Sequence, residues 1–205
     1  MVKVKVCGIT RLSDALLVIE LGADFLGFNF WPGTRRFIAP ADAKKIIGRI
    51  KGKVKIVGVF VNQPLAEVKK IIKITGLDYA QLHGEESPEY CAKISIPVIK
   101  AIRLSSGADL EAAGSYKNVL WLIDSRTEGF GGSGVRLDLS LAKKAGKKLK
   151  KIILAGGLNS RNVGEAVKRV RPWAVDVASG VESSPGIKNK IKLKRFFEAV
   201  KNVSR

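Results

Sequence analysis

The chain has 205 residues, 46% of them hydrophobic and 27% charged, a globular composition that excludes a disordered protein. No apolar run approaches the ~20 residues that cross a bilayer, and the two cysteines and one histidine exclude a disulfide framework and the usual Cys/His zinc site. Thirty-seven Lys and Arg against 18 Asp and Glu give a net charge of +19, a field that attracts nucleic acid, a membrane surface or a phosphorylated substrate.

The first segment, 2–7, alternates as a strand and carries no signal-peptide core, so the cytosol is the default compartment. Seven more β-branched runs follow, at 24–30, 54–61, 78–83, 97–102, 119–124, 151–155 and 173–178. Helices are expected between and after them, near 12–22, 40–50, 64–75, 86–95, 107–115, 138–148, 159–170 and 188–202. Ser13, Asp109 and Asn159 suit helix caps or first turns, and Pro40, Pro64 and Pro88 suit first turns. Gly22, Gly76 and Gly146 suit helix ends. Lysines crowd 143–151 and 188–195, which read as exposed helix faces rather than as a nucleic-acid site.

Eight βα steps imply parallel strands with helical crossovers. A doubly wound open sheet usually has fewer strands, so eight near-equal units favour a (β/α)8 TIM barrel. No linker-like cluster interrupts the chain, and residues 1–205 read as a single barrel domain. In the first strand Val2, Val4 and Val6 then face the helices, and Lys3, Lys5 and Cys7 face the interior. A buried Lys5 ammonium needs a partner, and Asp176 in the eighth strand could supply it.

Barrel enzymes carry their chemistry at the C-terminal ends of strands. Those ends hold Cys7, the segment Asn29 to Arg36, Asn62-Gln63, His83, Arg103, Asp124, Gly156-Gly157 and Ser179-Gly180. The glycine turns after strands seven and eight suit a phosphate held by backbone N–H groups. Gly129 to Gly134 formally match G-x-G-x-x-G, but they lie past the strand and no acidic residue follows at the right offset. A mobile loop over the site suits them better. Asp124 ends an apolar strand and is either a desolvated general acid or a helix-capping or salt-bridged residue. Cys7 is either a small buried hydrophobe or a reactive thiol, whereas Cys91 falls within a helix and is a spectator. Arg35 and Arg36 follow the rigid Trp31-Pro32-Gly33 and either suit a planar carboxylate or form an exposed basic loop. His83 lines the pocket.

Together these segments resemble phosphoribosylanthranilate isomerase, the tryptophan-pathway barrel. The resemblance runs from Lys5-Val6-Cys7-Gly8-Ile9-Thr10 through Arg35-Arg36-Phe37-Ile38 and Gln81-Leu82-His83-Gly84-Glu85 to Asp176-Val177-Ala178-Ser179-Gly180-Val181-Glu182. It implies Cys7 as general base, Asp124 as general acid and Arg36 on the anthranilate carboxylate. It implies the phosphate on the turns of Gly156, Gly157, Ser179 and Gly180, with His83 and Asp176 also facing substrate. Departures are Ala178, where the family often has serine, and Val135, Leu137 and Leu139 after the glycine loop. The implied reaction is an Amadori rearrangement that needs no cofactor and no metal, because the substrate nitrogen is the electron sink. The partner is a phosphorylated small molecule, with no specific nucleic acid and no membrane, and the chain is a monomer or homodimer. The acid-base roles call for a lowered Cys7 pKa, which Lys5 could provide, or a raised Asp124 pKa. Competing readings are another phosphate-binding barrel enzyme and a basic RNA-associated protein.

Overall fold

The computed structural model describes residues 1–104, 106–125, 138–149 and 151–203. The glycine loop 129–134, Val135, Leu137 and Lys150 lie outside the described residues. Eight strands, β1 (Lys3–Cys7), β2 (Phe25–Asn29), β3 (Lys55–Phe60), β4 (Tyr79–Leu82), β5 (Val98–Leu104), β6 (Val119–Ser125), β7 (Ile152–Leu154) and β8 (Ala174–Val177), pair in sequence order as parallel neighbours. Pairing of β1 with β8 closes the barrel. The expected architecture is therefore the observed one.

The crossovers are α1 (Leu12–Glu20), α2 (Pro40–Ile50), α3 (Leu65–Thr75), α4 (Pro88–Ala92), α5 (Gly107–Ala112), α6 (Leu139–Lys148) and α7 (Val163–Val170), with α8 (Lys190–Val203) after the barrel. No helix among the described residues is long and apolar enough to cross a membrane. Between β8 and α8 lie a short 3-10 turn, Ser179–Val181, and an antiparallel hairpin, β9 (Glu182–Ser184) with β10 (Ile187–Lys188).

Strand parity divides the core into two layers. Val4, Val6, Leu26, Phe28, Ile56 and Phe60 face the helices, while Phe25, Val57, Ile99, Leu122, Ile153 and Ala174 fill the barrel. The same alternation sends Cys7, Asn29, Arg103 and Asp124 to the interior side at the C-terminal rim.

Several local expectations need correction. Asn159 does not start α7. Its N–H donates to Asn162 Oδ1 at 2.8 Å and its carbonyl accepts from Val163 N at 3.0 Å. Residues 158–162 thus form a turn, and the helix begins at Val163. Gly146 lies inside α6, where a Cβ would come within 3.3 Å of Ile152 Cδ1, so it serves close helix–strand packing rather than an ending. Pro64 stands just before α3 and not in its first turn. Lys188 is neither helical nor exposed. It lies on β10 with its side chain 0% exposed, because the hairpin turn carries it back under Glu182.

Candidate active site

Cys7 is the last residue of β1 and is buried. Its register partner on β2 is Gly27, where a Cβ would sit only 2.7 Å from the Cys7 Sγ. Glycine is what leaves room for the thiol. The Sγ donates to Asn29 Oδ1 at 3.7 Å. Gly8 then turns the chain at φ +78°, and a Cβ there would meet the Arg36 side chain at 2.6 Å.

Below the thiol, Lys5 Nζ meets Asp176 Oδ1 at 3.0 Å, and the lysine side chain is fully buried. The expected partnership is present. Burial by itself would lower the Lys5 pKa, but Asp176 and Cys7 outweigh it and hold the ammonium above its ordinary value. The expected depression of the Cys7 pKa is not found. Lys5 and Lys188 do favour the thiolate, yet burial is the larger effect, Asp176 adds to it, and the thiol ends above its ordinary value. Asp176 is thus a partner of Lys5 in the barrel interior, one strand position below the rim.

Asp124 lies at the C-terminal end of β6 and is buried. His83 follows β4 directly and places Nε2 3.3 Å from Asp124 Oδ2, without the alignment of a hydrogen bond. Its Nδ1 lies 3.0 Å from Gln81 Nε2. With the glutamine amide so oriented, Nδ1 accepts and Nε2 carries the hydrogen that points toward the carboxyl. His83 therefore belongs to Asp124 as much as to the pocket wall.

Arg36 is not an open basic loop. Its Nε donates to Glu182 at 3.0 and 3.1 Å and its Nη2 at 2.7 Å. A guanidinium has five N–H donors, so the fork retains Nη1 and one Nη2 hydrogen for a ligand. Glu182 Oε1 also accepts from Lys188 Nζ at 2.8 Å and from Gly186 N at 3.2 Å. Burial would raise the Glu182 pKa, but Arg36 and Lys188 hold it below the usual carboxylate value.

The two glycine turns come together as expected. Gly156 and Gly157 adopt φ of +90° and +65°, and the Gly157 carbonyl is tied down by Asn162 Nδ2 at 3.0 Å. Gly180 packs against the neighbouring turn so closely that a Cβ would lie 2.0 Å from the Leu158 carbonyl oxygen. Ser179 stands beside it in the 3-10 turn after β8.

Sequence reasoning gave no role to Glu182, Lys188, Lys100 or Glu86. Lys100 is buried on β5 and its Nζ donates to Gly84 O at 2.6 Å and Glu86 Oε2 at 3.1 Å, while Glu86 Oε1 accepts from Asn62 N at 2.9 Å. This clasp secures the His83-Gly84 turn from outside the barrel. Its signal was a lysine on the helix-facing parity of an apolar strand. For Lys188 the signal was Pro185-Gly186, a turn that sets it across from Glu182.

Known proteins match the chain along nearly its whole length. The family of N-(5'-phosphoribosyl)anthranilate (PRA) isomerases matches residues 4–199. The N-(5'-phosphoribosyl)anthranilate isomerase of Citrifermentans bemidjiense is 45% identical over 205 residues, 100% of this chain and 99% of that protein. The crystal structure of the Thermotoga maritima isomerase superposes with a TM-score of 0.93 at 44% identity, covering 98% of this chain and 100% of that one. A structure of phosphoribosylanthranilate isomerase in complex with reduced 1-(o-carboxyphenylamino)-1-deoxyribulose 5-phosphate superposes with a TM-score of 0.89 at 41% identity, again over 98% and 100% of the two chains. The chain belongs to the N-(5'-phosphoribosyl)anthranilate isomerase family.

Proposed function

We propose that the rim residues of this barrel carry out the family's reaction, the Amadori rearrangement of N-(5-phosphoribosyl)anthranilate to 1-(2-carboxyphenylamino)-1-deoxyribulose 5-phosphate in tryptophan biosynthesis. The observation that carries the proposal is the placing of a buried thiol and a buried carboxyl, Cys7 and Asp124, on the interior face of one barrel mouth. They lie three strands apart around the barrel, through β8 and β7.

Asp124 donates a proton to the ribose ring oxygen, and the C1–O bond breaks to give a protonated Schiff base on the anthranilate nitrogen. That cation draws electrons from C2 and acidifies its proton. Cys7, as thiolate, takes the proton, and the C2–H pair becomes the C1–C2 double bond of an enolamine. Tautomerisation to the ketone follows. The resting thiol is disfavoured as a thiolate by burial, so the arriving cation helps to create the base it needs. Arg36 holds the anthranilate carboxylate with the donors that Glu182 leaves, and the backbone N–H groups of Gly157 and Gly180 hold the phosphate. His83 lies 3.3 Å from Asp124 and lines the pocket beside the ring oxygen.

The fields of the basic surface draw in the multiply anionic substrate. The reaction belongs in the cytosol, where the two thiols Cys7 and Cys91 stay reduced. A fluorescence assay with freshly made phosphoribosylanthranilate tests the function. Consumption of the substrate above its spontaneous decay supports it, and decay at the uncatalysed rate would refute it.

A further inference from the structure

The β9–β10 hairpin lies over the end of β1 and brings a lysine to the general base. Lys188 has its side chain fully buried, and its Nζ donates to Glu182 Oε1 at 2.8 Å and to the Cys7 carbonyl at 2.5 Å. Both partners are acceptors and one is a carboxylate, whose charge favours the ammonium form of the lysine. The hairpin is anchored on both sides. Thr10 Oγ1 donates to Gly186 O at 2.6 Å, and Lys188 N donates to Asp14 Oδ2 at 3.0 Å.

A tether alone does not call for this chemistry. A buried ion pair is often matched or bettered in stability by apolar side chains of the same size. The charge is therefore the feature to explain. Glu182 is shared between Lys188 and Arg36, so these three side chains carry one net positive charge between them, while the Asp14 carboxyl answers the Lys188 N–H rather than its side chain. The charged groups around Cys7 are Lys5 from β1, Asp176 from β8 and Lys188 from β10, with Glu182, Arg36 and, from α1, Asp14 behind the last. Asp176 answers Lys5 one to one. Among the described residues, the thiol meets the neutral Asn29 and Gly27 on the β2 side.

We propose that Lys188 is a positioning residue for the base: its ammonium, braced by Glu182 and bonded to the Cys7 carbonyl, fixes the end of β1 and favours the Cys7 thiolate, and so sets the share of enzyme that holds the thiolate at a given pH. This inference rests on the isomerase function proposed above. The electrostatics agree in direction. Burial pushes the Cys7 thiol up, and Lys188 joins Lys5 in pulling it down. Burial lowers the Lys188 pKa as well, and although Glu182 and Cys7 oppose it, the lysine ends below its ordinary value.

The test is Lys188→Met, which keeps the stem and removes the charge, made in a Cys91→Ser background. Two profiles are recorded against pH: iodoacetamide alkylation of Cys7, which needs no substrate, and single-turnover isomerisation. Both midpoints move up by about one unit, so that below them the thiolate and the rate fall roughly tenfold. At pH above the new midpoint the rate returns to that of the parent, and KM stays within about twofold. Lys188→Gln, which keeps a donor for the Cys7 carbonyl, shows the same shift. An unmoved alkylation midpoint, or a rate lowered equally at every pH, would overturn the proposal. So would failure of both variants to fold, which would make Lys188 a tether. A shifted alkylation profile in a parent protein without turnover would count against the isomerase function and leave the role of Lys188 standing.

Discussion

Lys5 and Asp176, 171 residues apart in the chain, meet at 3.0 Å inside the barrel, directly below the proposed base. They are register partners on β1 and β8, the two strands whose pairing closes the barrel. The pair therefore combines a structural and an electrostatic role. It joins first strand to last, and it puts both a cation and an anion beneath Cys7.

Removing one partner leaves a buried charge without its counterion. Asp176→Asn lowers stability by about 3–5 kcal/mol in urea unfolding, whereas the double replacement Lys5→Met with Asp176→Leu costs far less. Equal losses in the two variants would contradict the pairing. The pH dependence follows from the raised Lys5 pKa. Its contribution is complete below the unfolded value of about 10.5 and is lost as pH rises through the higher folded value.

Arg36→Met weakens substrate binding without unfolding the chain. Loss of a charge-assisted pair costs about 1.5–3 kcal/mol, roughly ten- to a hundredfold in KM. Because Glu182 holds Nε and Nη2, Glu182→Gln raises KM in the same direction by misaligning the fork. The check is steady-state kinetics with a substrate analogue lacking the carboxylate. That analogue binds the parent and Arg36→Met equally; a difference would place the carboxylate elsewhere.

Gly180→Val separates the turns after β7 and β8, since a Cβ already comes within 2.0 Å of the Leu158 carbonyl. The expected result is a large rise in KM and loss of competitive inhibition by inorganic phosphate. An unchanged phosphate inhibition constant would remove the anion from these turns.

Much of this was legible from the chain. Period-two alternation in 2–7 put Lys5 on the interior face, its need of a partner pointed to Asp176 in the eighth strand, and the end of each apolar run located Cys7, His83 and Asp124 at the rim. Parity is a local property, so sequence carries it. The state of the Cys7 thiol was not legible, because desolvation depends on how tightly Gly27 and the hairpin close around it. Lys188 was hidden in a lysine-rich run. Only the antiparallel pairing through Pro185-Gly186 separates it from the exposed helix that follows. Arg36 was found, but its bond to Glu182 spans 146 residues and has no local signature.

The raised Cys7 pKa predicts how activity varies with pH. In the free enzyme burial holds the thiol above its ordinary value of 9.0, and Asp124 must carry a proton while Cys7 does not, so kcat/KM is bell-shaped with pH and its alkaline limb belongs to Cys7. With substrate bound, the cationic Schiff base favours the thiolate, and the limb in kcat lies lower than the limb in kcat/KM. Coincident limbs in the two profiles would show that the bound cation does not reach Cys7.

Single-turnover isomerisation by Cys7→Ala, beside Cys91→Ala and the parent, tests the central claim most directly. The account predicts that Cys7→Ala folds normally and loses turnover by about 10²–10⁴-fold, the usual share of a general base, while Cys91→Ala, altered within α4, keeps the parent rate. A Cys7→Ala enzyme that turns over at near the parent rate would contradict it, and the proton at C2 would then be taken by another group.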